Sequence, residues 1–307
     1  MNLRVGTRGS KLALAQTEWV ISKLKHYHPQ LEIEKVIIKT TGDKILDAPL
    51  SKIGGKGLFV KEIEEALLSG DIDFAVHSMK DVPSEVPSGL EVSIVPERES
   101  PYDVWISDFK SFHLLPAGGK VGTSSLRRMT QLKRIRPDLQ IEPLRGNVDT
   151  RLRKLKEGLY DGIVLAEAGL KRLKIEVDYI SFSLNQMVPA VGQGALGIET
   201  RTKDSQTKAI LSVLHSEETA IAVKAERAFL RTLEGGCQVP LGAHAYFENS
   251  KLIITGFIAD LEGVRFYKET LAGSPSEPEK LGEELARILL TQGGEAILKE
   301  LYQGIKG

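Results

Sequence analysis

Two short segments carry the residue types that could do acid–base or covalent chemistry. Lys80-Asp81 sits where an apolar run, Asp73 to His77, ends, and Gly235-Gly236-Cys237 holds the single cysteine of the chain. A carboxylate at a strand end beside a cation stays ionised, and it can stabilise a developing positive charge or shuttle a proton. The plainer reading of Asp81 is a turn residue ahead of Pro83 that bonds its own backbone. Cys237 is either a small inert core residue or a reactive thiol, and the paired glycines fit a backbone that turns tightly or lets another group come close. A third group is cationic. Between Lys120 and Lys174 there are fourteen Lys plus Arg against six Asp plus Glu, a local excess inside a chain whose 41 basic and 41 acidic residues cancel. Arg127, Arg128, Arg145 and Arg151 follow strand-like runs and stand near the starts of helices, where free N–H groups and the helix dipole favour anions. Their planar forks suit carboxylates or phosphates. Arg134, Arg136, Arg153, Lys154 and Lys156 read instead as a solvated helix face.

The balanced total charge argues against whole-chain attraction to nucleic acid or an anionic membrane, and few aromatics interleave the basic stretch, as base stacking would require. One cysteine allows no internal disulfide, and no Cys/His spacing suits zinc, so neither a disulfide framework nor a metal is expected. The first ten residues mix charge and glycine, unlike a signal peptide, and the longest uncharged run, residues 179–198, is broken by Asn185, Gln186 and Pro189. These features point to a cytoplasmic protein. Gly54-Gly55-Lys56-Gly57 lacks the Lys-Ser/Thr ending of a phosphate loop, and His77 reads as a hydrogen-bonded core residue.

The elements that must position these groups alternate. A strand over Asn2 to Thr7 leads to Ser10 at an N-cap, a strand over Glu32 to Lys39 precedes a helix from Phe59 to Ser69, and residues 39–56 form a glycine-containing, lid-like loop. After the polar stretch Glu97 to Pro101 the pattern restarts: Lys120 to Thr123, Leu139 to Leu144 and Gly162 to Ala166 each feed a helix. Pro189 to Gly194 marks a return crossing. The expected fold class is α/β, with two doubly wound, largely parallel domains around a cleft, plus a smaller C-terminal α+β domain of three strands and helices. The boundaries are 1–97 with about 195–213, then 98–194, then 214–307.

Taken in order, Thr7 to Ser10, Gly54 to Phe59, Ala75 to Pro83, Gly122 to Arg128, Leu144 to Val148, Pro189 to Gly194 and Glu234 to Pro240 resemble the porphobilinogen deaminase, or hydroxymethylbilane synthase, family. The match is looser beyond Phe247. The resemblance implies two lobes like those of periplasmic binding proteins and a dipyrromethane cofactor carried by Cys237 through a thioether. It implies a transferase that condenses four porphobilinogen molecules into a linear tetrapyrrole, releasing ammonia at each addition and the product by hydrolysis. Asp81 matches the catalytic aspartate. Lys80, Thr123, Ser125, Arg127, Arg128, Arg145 and Gly146 match cofactor contacts. Arg8, Ser10, Lys52, Lys56, Phe59, Arg151, Arg172 and Gln193 match substrate contacts. The family's pyrroles each bear an acetate and a propionate, so cations are the expected lining. A monomer with a small-molecule substrate and no nucleic-acid or membrane partner is expected.

Two other readings compete. A non-catalytic anion receptor of periplasmic-binding type explains the lobes and arginines but gives Cys237 and Asp81 no role. A cysteine-dependent acyl transferase or hydrolase needs a base beside Cys237, for which His244 is the candidate.

Overall fold

The computed structural model describes residues 2–44, 60–233 and 239–305. In chain order these form β1 (Asn2–Thr7), α1 (Lys11–Tyr27), β2 (Glu32–Ile37), α2 (Lys61–Ser69), β3 (Phe74–Ser78), β4 (Leu90–Ile94), β5 (Asp103–Ile106), β6 (Lys120–Gly122), α3 (Leu126–Ile135), β7 (Gln140–Glu142), α4 (Val148–Lys156), β8 (Gly162–Ala166), α5 (Glu167–Leu173), β9 (Ile180–Ser181), β10 (Leu196–Arg201) and α6 (Ser205–Leu211). The chain continues through α7 (Glu217–Thr232), β11 (Leu241–Glu248), β12 (Lys251–Ala259), β13 (Phe266–Gly273), α8 (Pro278–Leu289) and α9 (Glu295–Ile305). Residues 1–99 with 194–220 make one compact unit, and residues 100–193 with 221–307 make a second.

The first unit is built on a five-stranded sheet of order β2-β1-β3-β10-β4. Alternation along its strands sends Leu3, Val5, Phe74, Val76, Leu196 and Ile198 to one face, under Val20, Ile21 and Leu24 of α1 and Leu211 of α6. Ala75 faces the other way, against Ile63 and Leu67 of α2. Period-2 strands sandwiched between amphipathic helices give a doubly wound layer structure.

The second unit repeats the plan in a sheet of order β7-β6-β8-β5-β9. Trp105, Val121 and Val164 pack with Leu132 of α3 on one face, while Val104, Ile106, Ile163 and Leu165 meet Leu152 of α4 and Leu170 of α5 on the other. The same unit holds the antiparallel sheet β11-β12-β13. Ile254 and Ile258 on one face of β12 pack with Phe229 of α7 and Leu285 and Leu289 of α8. Phe257 and Ala259, on its opposite face, pack with Val188.

The α/β sheets are more mixed than the alternation suggested. β1 runs parallel to β2 and β3, and β6 parallel to β7 and β8. β10 is antiparallel to both of its neighbours, and so is β5. The two reversed strands are the ones that arrive from a crossing, β5 after the stretch ending at Pro101 and β10 after the stretch ending at Gly194. A strand that enters its sheet without a preceding helix on that sheet is released from the right-handed crossover that keeps βαβ neighbours parallel. Within the loop expected at residues 39–56, Thr41–Lys44 is a helical turn, and residues 45–59 lie outside the described residues. Among the described residues no helix is long and apolar enough to cross a membrane.

Packing at the centre of the second unit is tight enough to fix one glycine. A Cβ on Gly162 would overlap the buried Trp105 ring. Gly162→Ala is therefore expected to destabilise the protein by about 1–3 kcal/mol in urea unfolding. Gly169→Ala, in α5 with only an ordinary van der Waals neighbour, should be neutral or stabilising.

Candidate functional site

In the first unit the register of β1 against β3 sets one group of candidate residues. Val5 pairs with Phe74 and Gly6 with Ala75, so the two strands end side by side. Beyond β1 come Arg8, Gly9 and Ser10, and beyond β3 comes the 3-10 turn Met79–Asp81. The C-terminal ends of neighbouring parallel strands are where open α/β sheets bind ligands. Ser10 caps α1 by accepting a hydrogen bond from the Ala13 N–H at 3.3 Å. The Gln16 amide donates to Ser78 Oγ at 2.8 Å, and the Thr17 hydroxyl donates to Thr7 Oγ1 at 2.9 Å, tying α1 to both strand ends. Met79 N–H donates to the Ala195 carbonyl and Val82 N–H to that of Met79, which holds the turn and leaves Lys80 and Asp81 exposed. Thus Arg8, Ser10, Lys80 and Asp81 are brought to one end of one sheet.

In the second unit β7, β6 and β8 end together, delivering Arg145 and Gly146, the Thr123 to Arg128 segment, and α5 with Arg172. Ser125 is the N-cap of α3 and accepts from the Arg128 N–H at 3.4 Å, while Thr123 Oγ1 accepts from the Ser125 N–H at 3.2 Å. Gly146 has φ +111°, and a Cβ there would come within 2.8 Å of Thr150, so both backbone and space require glycine. Arg151 Nε donates to the Gly146 carbonyl at 2.8 Å.

The centre of the second unit's group is a residue absent from the sequence-derived site, Asp103. It opens β5 opposite Ala166, the last residue of β8, and its side chain is wholly buried. Arg127 donates to it twice, Nη1 to Oδ2 at 2.7 Å and Nη2 to Oδ1 at 3.1 Å. Arg128 Nε donates to Oδ1 at 2.8 Å, and the Gln193 amide donates to the same oxygen at 3.1 Å. Arg127 and Arg128 also reach the carbonyls of Val188 and Val164. Burial alone would raise the Asp103 carboxyl, but the charges and hydrogen bonds of the two guanidiniums outweigh it and hold it well below the usual carboxylate range. Both arginines are 6% exposed. Both were expected to face a ligand, whereas the forks of both are turned to Asp103, with Arg128 Nη2 also 2.7 Å from Oδ1.

Two guanidiniums around one carboxylate leave a net positive charge in a buried network. Burial, and then the charges of Arg128 and Arg145, push Arg151 down to about 10. Crowded, partly desolvated cations are costly by themselves, and an anion with several carboxylates relieves that cost. The donor set therefore fits a poly-carboxylate group. A second crowded cation is Arg227 on α7, lowered to about 10 by burial and then by Arg231.

Other positions divide as follows. Gln193 is 1% exposed and also donates to the Pro101 carbonyl at 2.7 Å. Lys52, Lys56, Phe59 and Cys237 lie outside the described residues. Arg136 is not a solvated surface cation: it bonds Asp138 and the carbonyls of Phe112, His113 and Leu115. Arg134 stacks over the Phe266 ring at 4.2 Å. His77 is buried with Nε2 2.9 Å from Glu199, and His244 is buried with Nδ1 3.4 Å from Glu226. The signal that could have found Asp103 and Glu226 is an acid set inside an apolar pattern, Asp103-Val-Trp-Ile in one case and Ala222 to Phe229 in the other. Among the described residues no group of three or more His, Cys, Asp or Glu could hold a metal ion.

Residues 3–209 match the family model "Porphobilinogen deaminase, dipyromethane cofactor binding domain", and residues 220–291 match "Porphobilinogen deaminase, C-terminal domain". The porphobilinogen deaminase of Syntrophotalea carbinolica is 54% identical over 303 residues, covering 97% of this chain and 96% of the relative. That of Geobacter sulfurreducens is 52% identical over 304 residues, covering 98% and 95%. Among solved structures, the methionine binding protein MetQ aligns with a TM-score of 0.45 and 14% identity, covering 71% of this chain and 92% of that one.

The Asp103 network makes a prediction about acid stability. Its folded pKa is depressed below the unfolded value near 4, so its contribution is fully present above that value and is lost as pH falls towards the folded pKa. Asp103→Asn should cost about 3 kcal/mol at pH 7, because it leaves two buried cations uncompensated. The difference between wild type and variant, read from urea unfolding, should stay constant from pH 7 to 5 and shrink below about pH 4.

Proposed function

Because the chain belongs to the porphobilinogen deaminase family, we propose that it is a cytoplasmic, monomeric hydroxymethylbilane synthase, condensing four porphobilinogen molecules head to tail and releasing the linear tetrapyrrole by hydrolysis. The observation that carries this reading beyond the family match is the cationic cluster at the strand ends of the second unit, whose buried excess charge calls for a ligand bearing several carboxylates. A receptor without catalysis would use the same arginines, but it leaves a cofactor-binding family model spanning two thirds of the chain unexplained. The three-part division at about residues 97, 194 and 213 is kept as the functional one.

In this reading Cys237 anchors the dipyrromethane through a thioether. When bound, that group supplies the primer to which each new pyrrole is joined. Arg128, Arg145 and Arg151 hold carboxylates, with Thr123, Ser125 and the Gly146 backbone completing the contacts. Arg127 works from behind, through Asp103. Lys80 supplies a cofactor contact in the first unit. Arg8, Ser10, Arg172 and Gln193 hold the incoming porphobilinogen, assisted by Lys52, Lys56 and Phe59.

Asp81 is the acid–base residue. Loss of ammonia from porphobilinogen leaves a cationic methylene on the substrate, and an ionised carboxylate nearby lowers the energy of that charge. The same carboxylate accepts and returns the proton that moves between pyrrole nitrogen and leaving amine. Its exposed position on a turn at the strand end gives it access to a small substrate. Arg8 and Arg172 orient the substrate's acetate and propionate, so bond formation gains from positioning and needs no protein nucleophile.

The deciding test is the intact mass of the purified protein. A covalent excess equal to two deaminated porphobilinogen units is expected, and it should vanish in Cys237→Ser. An unmodified yet fully active protein would refute the assignment. Asp81→Ala should keep the fold and slow ammonia release by at least about 100-fold, measured on protein that already carries the added mass; wild-type turnover would remove Asp81 from the mechanism.

A further inference from the structure

The network behind the arginines continues past Asp103. Gln193, which donates to Asp103 Oδ1 at 3.1 Å, follows Gly192 in the stretch that precedes β10. The Gly192 N–H donates to Glu226 Oε2 at 2.6 Å, and the Ala245 N–H donates to Glu226 Oε1 at 2.8 Å. Glu226 is wholly buried on α7, the helix that ends five residues before Cys237. A continuous polar chain therefore runs from α7, through Gly192 and Gln193, to Asp103, and from there to Arg127 and Arg128. Each member is at most 6% exposed apart from the Gly192 backbone itself, which is also buried.

Two buried guanidiniums without an anion between them would repel one another and adopt separate rotamers. With Asp103 in place, Oδ1 receives Arg127 Nη2, Arg128 Nε and Gln193 Nε2, while Oδ2 receives Arg127 Nη1. One carboxylate thus sets the plane of Arg127 and the approach of Arg128. Arg128 Nη2 also lies 2.7 Å from Oδ1 and Nη1 donates to the Val164 carbonyl at 3.0 Å, so the plane of Arg128 is fixed as well.

We propose that Asp103 is a positioning residue for the reaction: it aligns Arg127 and Arg128 as one cationic unit for carboxylate binding and couples that unit, through Gln193 and Gly192, to the helix leading to Cys237. The inference rests on the proposed function for the identity of the anion, but the ordering of the arginine forks is a property of the chain by itself. Asp103 touches no reacting atom in this account and acts only through the arginines.

The test compares the full-length wild-type protein with Asp103→Asn and with Arg127→Lys, which keeps the charge but loses the two-pronged contact. Side-chain 15N spectra of the arginines read the ordering directly: wild type should show two hindered guanidinium groups, and Asp103→Asn should lose hindrance at both, whereas Arg127→Lys, which keeps Asp103, should leave Arg128 hindered. Persistent hindrance of both guanidiniums in Asp103→Asn would overturn the proposal. On the folded fraction of each variant, KM for porphobilinogen should rise about tenfold or more with a smaller fall in kcat, and the fraction of protein carrying the covalent mass should drop. A residue that only stabilises the fold would lower the melting temperature and leave KM and occupancy at wild-type values in the folded fraction, and that result would also overturn the proposal. Should Asp103→Asn fail to fold, Arg127→Lys, which breaks the Asp103–Arg127 pair, supplies the KM and occupancy readouts, and wild-type values there would overturn the proposal. The double variant Asp103→Asn/Arg127→Lys should be no worse in KM than the worse single one, because the two residues act as a unit. A wild-type protein without added mass or turnover would strike the functional reading alone, since the 15N comparison would still decide the role of Asp103.

Discussion

A carboxylate with no exposed surface, held between two guanidiniums, is the constraint around which the second unit is arranged. Asp103 must stand at the end of the sheet where β6 and β8 finish, because Arg127 and Arg128 start the helix after β6. Had β5 run parallel to β8, its first residue would lie at the far end of the sheet, beyond the reach of either arginine. The reversed strand is thus tied to the charge pattern. Immediately around Asp103 two guanidiniums meet one carboxylate, so charge compensation there is local, incomplete and removed from water.

The two aspartates singled out above do different physical work because their surroundings differ. Asp81 is exposed on a turn whose Met79 N–H is held by the Ala195 carbonyl just before β10, which leaves its side chain open to solvent. Asp103 is sealed among donors that keep it ionised at any ordinary pH, so it can orient neighbours but cannot take up a proton. Arg151 illustrates a third condition, a cation crowded by like charges and partly stripped of water, which favours the arrival of an anion.

Much of the fold was legible because period and punctuation agreed. Ser10 caps the helix it was expected to cap, and β5 spans Asp103–Ile106 as read from the apolar run. The mixed direction of the sheets was not legible, since strand-then-helix alternation says nothing about a strand that enters from a crossing. The arginines were visible by type and spacing, but their partners were not. Asp103 lies twenty-four residues from Arg127, and a single acid at the head of an apolar strand has no local signature of a bidentate partner. Arg136 was misjudged for a related reason: the carbonyls it braces, from Phe112 to Leu115, come together only in three dimensions.

The position of β10 in its sheet has a consequence for biosynthesis. It is inserted between β3 and β4, although roughly a hundred residues of the other unit separate it in sequence from β4. As the chain leaves the ribosome, β4 therefore waits without a lateral partner until the intervening residues have emerged, and the amino-terminal unit cannot close its layer first. Vectorial synthesis would then let the middle α/β sheet mature ahead of the sheet that precedes it, with the exposed flank of β3 as the surface most in need of protection during that interval.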